Sequence, residues 1–149
     1  MKAKLLLYLL IPFALGLAHT VHAATPNPKK MKFLVHVTAG SDNPTKAALA
    51  FLVAKTAVEE GHDVTLFLAG DAVLLMRDEV MKGVTGLGTG SLNDHFQVIA
   101  KSSTRIFLSG NSCKARGLTL EELKGKPVTM ALPNVLVNLA AESDRMFTY

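Results

Sequence analysis

An α/β domain is predicted, a three-layer α/β/α sandwich on a five-stranded, mainly parallel sheet, and three observations predict it. Short apolar runs alternate with amphipathic stretches from Met31 onward. The strand-like runs are apolar on both faces, so helices must cover both sides of the sheet. Five such runs fit into a chain long enough for one domain.

The elements follow in order. KFLVHVT, Lys32 to Thr38, reads as the first strand, and AGSDNPT turns the chain. A helix from Lys46 carries Ala48, Leu49, Leu52, Val53 and Ala57 at helical spacing and stops at Gly61. DVTLFLAG, Asp63 to Gly70, is a second strand. Asp71 can cap a helix through VLLMRDEV, and the glycine-rich KGVTGLGTGS that follows is loose. Leu92 to Lys101 is helical in pattern, and Thr104 to Ser109 forms the third strand. Thr119 and Glu122 have capping-box spacing for a short helix that ends at Gly125. PVTMAL, Asn134 to Glu142 and DRMFTY are the fourth strand, the last helix and the fifth strand.

The first 23 residues read as a secretory leader. Lys2 and Lys4 supply the basic start, Leu5 to Ala18 the apolar middle, and Val21-His22-Ala23 the small-residue end, so cleavage is expected after Ala23. The 14-residue apolar run contains Pro12 and falls short of the roughly 20 residues a spanning helix needs. A periplasmic or secreted product, free of the membrane once the leader is gone, is the expectation. Residues 24–31 form a short linker and 32–149 the domain. Removing 23 of the 149 residues leaves 126, and losing Lys2 and Lys4 takes the 16 basic residues to 14 against 12 acidic, a net charge of about +2. That balance, with no tryptophan and no basic run interleaved with aromatics, gives no support to nucleic-acid binding.

Several features weigh toward structure. Gly86, Gly88 and Gly90 suggest a phosphate loop, but Ser91 stands where a dinucleotide fingerprint needs its third glycine and no strand leads in. A flexible rim or surface loop is the better reading. His36, His62 and His95 show no metal-ligand spacing, so no metal or other cofactor is expected. Ser41, Asp42 and Asn43 lie in the first strand-to-helix loop, where open α/β sheets place ligand groups. No histidine is tied to them by sequence.

Cys113 is the only cysteine. It falls just past the carboxyl end of the third strand, where the chain turns into its next helical segment. A helix N-terminus and the cations Lys114 and Arg116 would lower its pKa and make the reactive thiolate. The polar neighbours Asn111, Ser112 and Lys114 point to an accessible site. The alternative is a small buried hydrophobe, the usual state of a free cysteine.

From Lys32 to Tyr149 the chain resembles the DsrE/DsrF-like family. The resemblance rests on FLVHVTAGSDNPTKAALAFLVAKTAVEEGHDVTLFLAGDAV, on IFLSGNSCKARGLTLEEL and on the closing AAESDRMFTY, in that order and spacing. It implies an α/β/α sandwich assembled into trimers or hexamers, and a cysteine before an Ala-Arg-Gly-type turn that carries sulfur as a persulfide. Cys113 holds that position, with Arg116 and Gly117 in the turn and Lys114 beside it. The implied activity class is sulfur carrier or sulfurtransferase, with a donor and an acceptor protein as partners. Some relatives place a second cysteine a few residues earlier, where this chain has Ser109-Gly110, so a dithiol mechanism within one chain is excluded. The leader is a second departure, because a lone thiol outside the cytoplasm must be shielded, kept reduced or capped by sulfur. The rival reading is a small-ligand or protein-binding module in which Cys113 is incidental.

Overall fold

The protein, as a computed structural model, is described over residues 29–149. The expected leader, its cleavage site and the linker up to residue 28 lie outside the described residues. The elements are β1 (Lys32–Val37), α1 (Pro44–Glu59), β2 (Asp63–Leu68), a 3-10 helix (Gly70–Met76), α2 (Asp78–Gly83), β3 (Thr85–Gly86), β4 (Gly90–Ser91), α3 (Leu92–Ala100), β5 (Arg105–Ser109), α4 (Gly110–Ala115), β6 (Val128–Ala131), α5 (Pro133–Glu142) and β7 (Arg145–Thr148). The main sheet runs β6-β5-β2-β1-β7, and all four of its pairings are parallel. The chain steps outward from β1 to β6, then α5 returns it across the opposite face to deliver β7 beside β1. Tyr149 closes that end, its carbonyl accepting the Thr38 N–H at 2.8 Å and the Thr38 hydroxyl at 2.7 Å.

One face of the sheet carries most of the core. Val35, Val37, Leu66, Leu68 and Leu108 pack there under α1, the 3-10 helix and α3. The inward stripe of α1 is not the one its larger residues suggest. Ala47, Ala48, Ala50, Phe51, Ala54 and Ala57 are buried, while Leu52 and Val53 are half-exposed beside Phe33 and Phe147. Small side chains let the helix approach its neighbours closely, and Phe51 fills the remaining depth against Phe96. Among the described residues the other face is covered by α5 alone, over Leu34, Phe67, Ala131 and Leu139.

Three local expectations change. The segment after Asp71 is a 3-10 helix that breaks at Arg77 before α2 begins. The glycine-rich stretch is an ordered hairpin. Gly88 and Gly90 take φ of +73° and +78°, and a Cβ on Gly86 would lie 2.8 Å from Thr45 Cα, so α1 admits no side chain there. His95 pins the same hairpin through Nε2 and the Thr89 carbonyl at 2.7 Å. At Thr119 the capping interaction forms, with the Glu122 carboxylate accepting the Thr119 N–H at 2.7 Å. No helix follows it. Arg77 takes the same carboxylate at 2.7 Å, and residues 120–126 make successive tight turns.

Within the 3-10 helix Val73, Leu75 and Met76 are fully buried. The last helix instead leaves apolar side chains in solvent, with Leu132 at its N-cap 60% and Val137 67% exposed.

Candidate functional site

Parallel strands deliver their loops to one end of the sheet, and the segments after β1, β2 and β5 meet there. The β1 loop comes first. A Cβ on Gly40 would lie 2.8 Å from Asp71 Cβ, which shows how closely this loop packs on the start of the 3-10 helix. Ser41 and Asp42 are exposed on it. Asn43 has a structural task, since its Oδ1 caps α1 by accepting the Lys46 N–H at 3.1 Å.

The β5 side is built on two serines. Ser109 caps α4, accepting the Ser112 N–H at 3.3 Å and its hydroxyl at 3.1 Å. Ser112 Oγ in turn accepts the Gly70 N–H at 3.0 Å, which ties α4 to the β2 loop. Arg116 reaches across the same seam and donates from Nε to Asp71 Oδ1 at 2.7 Å. Gly117 has φ of +64°, the left-handed conformation that lets the chain double back after α4. The Leu118 N–H then bonds to the Cys113 carbonyl at 3.0 Å and the Leu118 side chain enters the core.

Cys113 faces the core from α4, and here the structure corrects the sequence. The thiol is 1% exposed and packs with the core, although Asn111 and Lys114 beside it are exposed. It is also the fourth residue of a six-residue helix and so gains little from the N-terminal dipole. Burial pushes its pKa above the ordinary thiol value, against the lowering expected; its backbone hydrogen bond and the Arg116 charge oppose the rise without overcoming it. Lys114 faces solvent and contributes no comparable effect.

Cys113, Arg116 and Gly117 are therefore brought together, with the β1 loop joined to them through Asp71. In the sequence Asp71 presents itself only as a helix cap. Nothing in the sequence couples it to Arg116, which lies 45 residues away. Among the described residues no three His, Cys, Asp or Glu side chains group to hold a metal ion, and no helix is long and apolar enough to cross a membrane.

No curated protein matches the sequence. Among solved structures the chain is similar to the YchN protein of Escherichia coli, with TM-score 0.64 and 15% identity over 80% of this chain and 99% of that one. It is also similar to a conserved protein of unknown function from Bacteroides thetaiotaomicron, with TM-score 0.55 and 13% identity over 79% of this chain and 94% of that one. These likenesses agree in fold. The DsrE/DsrF-like family pattern matches residues 31–149, nearly the whole described chain, and the protein belongs to that family.

Proposed function

We propose that this protein is an exported sulfur carrier that holds sulfane sulfur on Cys113. The family is broadly associated with sulfur relay. The observation that supports the reading is that Cys113 lies in the helix that follows β5, close enough to the Asp71-paired Arg116 to feel its charge. Loading begins when the Cys113 thiolate attacks the outer sulfur of a donor protein's persulfide. The new S–S bond forms as the donor's S–S bond breaks, and its electron pair leaves with the donor thiolate. Unloading to an acceptor thiolate is the same exchange in reverse, so no net oxidant is required.

Burial suits a resting state outside the cytoplasm, because a shielded thiol resists mixed disulfides. Transfer then requires the α4 seam to open. Arg116 would favour the thiolate once the thiol leaves the core, with Ser41, Asp42 and Asn43 on the facing loop. Leader cleavage after Ala23 and a trimeric or hexameric assembly through the exposed side of α5 belong to the same proposal. N-terminal sequencing of the exported product and light scattering test those two parts.

The rival reading, a binding module with an incidental cysteine, is favoured by the same burial and raised pKa. Polysulfide treatment followed by intact-mass measurement separates the two. A carrier gains sulfur that a reductant removes and that a Cys113→Ser variant never acquires. A protein that gains none under native conditions is not a carrier.

A further inference from the structure

A cavity of about 310 Å³ lies between α2, α3 and the turn before β6, apart from Cys113 and its seam. Its size is at the small end of ligand sites, roughly 300–1,000 Å³. Helical spacing builds two walls. Asn93, Phe96 and Gln97 share one face of α3, and Asp78, Met81 and Lys82 share one face of α2. Phe96 and Met81 are buried and make an apolar floor.

The third wall is the turn that carries Lys124 and Lys126. Lys126 is fixed: its ammonium donates to the Glu122 carbonyl at 2.8 Å and pairs with Asp78 at 2.8 Å, and its side chain is only 13% exposed. That pair consumes the one carboxylate lining the cavity. Lys82 makes no ion pair within 4.0 Å among the described residues, although its charge also acts on Asp78, and Lys124 has only the exposed Glu121 at 3.6 Å. Three ammonium groups against Asp78 in the lining and the exposed Glu121 beside it leave a net positive rim above an apolar floor, with the Asn93 and Gln97 amides able to donate hydrogen bonds.

We infer that this cavity binds a small organic anion, one carboxylate or similar headgroup on an apolar body, with the headgroup at Lys82 and Lys124 and the body over Phe96 and Met81. The site is independent of the sulfur-carrier proposal.

Titrating isotope-labelled protein with benzoate, benzylamine and inorganic phosphate at fixed ionic strength tests it, by following backbone amide shifts. Benzoate should shift Lys82, Asn93, Gln97 and Gly125 saturably, benzylamine should not bind, and phosphate should bind about tenfold more weakly because it has nothing to place on the floor. Lys82→Glu with Lys124→Glu should weaken benzoate at least about tenfold. Both positions are exposed, so the variant should fold, and Gln97→Glu provides a second exposed change acting in the same direction. The inference is overturned if no probe binds, if shifts map elsewhere, if benzylamine or phosphate matches benzoate, or if charge reversal leaves benzoate affinity unchanged.

Discussion

The two faces of the sheet are made differently. One is sealed under α1, α3 and the 3-10 helix, and it holds Phe51, Leu66, Leu108 and the thiol of Cys113. The other is covered by a single ten-residue helix. A helix about 10 Å across cannot cover five strands spaced about 4.8 Å apart. The thinner face keeps His36 only partly covered, with its Nε2 buried and unbonded among the described groups, and Met146 is exposed near it. The sealed face therefore holds the larger buried cluster and the open face the smaller one.

Cavity formation should register that contrast most strongly. Phe51→Ala removes a fully buried ring from the sealed face and should cost about 3–5 kcal/mol. Leu139→Ala on α5 should cost about 2 kcal/mol, the low end for such a change, because the thinner layer can relax into the gap. Urea unfolding midpoints measure both. Equal losses would show the two faces to be equally consolidated.

Much of this architecture was legible in the sequence. All five strands of the main sheet, their parallel order and α1, α3 and α5 follow from periodicity that tertiary packing reinforces. The errors fall where short-range pattern competes with long-range contact. Leu52 and Val53 look like core residues, but the alanine stripe allows the closer approach and takes the inward face. Cys113 looks exposed because Asn111 and Lys114 flank it, yet a six-residue helix is too short to display a stripe, and its inward direction is set by Ser112 bonding to Gly70, 42 residues away. The Asp71–Arg116 pair was beyond reach for the same reason.

A pH experiment sharpens the contrast on the open face. Burial lowers the pKa of His36 below its ordinary value of about 6.5, so the folded protein keeps this ring neutral while the unfolded chain protonates it. The stability it contributes is present above about pH 6.5 and lost as pH falls toward the depressed folded value. His36→Phe keeps the ring volume beside Phe67 and removes the titration. Its stability should decline less than wild type between neutral and mildly acidic pH. Parallel curves would mean that the ring is solvated in both states.

The smallest expected change in stability, and the one closest to function, concerns Asp71→Asn. The Asp71–Arg116 pair is partly exposed, with side-chain accessibilities of 62% and 28%, and pairs of that kind contribute about 0–1 kcal/mol. If the pair helps to hold α4 against the core with its thiol turned inward, losing it should raise the open population, and with it the rate of Cys113 alkylation, by at most about fivefold. The pH profile should move as well. Burial raises the thiol pKa, so wild-type alkylation should climb later than that of a free cysteine, near pH 8.5, and stability from this group should fall as pH rises toward the raised value. In the variant Arg116 no longer faces a carboxylate, its charge acts more fully on the sulfur, and the climb should begin at lower pH. Ser112→Ala, which frees Gly70 without altering any charge, should increase the rate but leave the profile in place. An Asp71→Asn protein with wild-type rate and profile would mean that the seam does not govern the thiol, and Cys113 would then be part of the sealed core and nothing more.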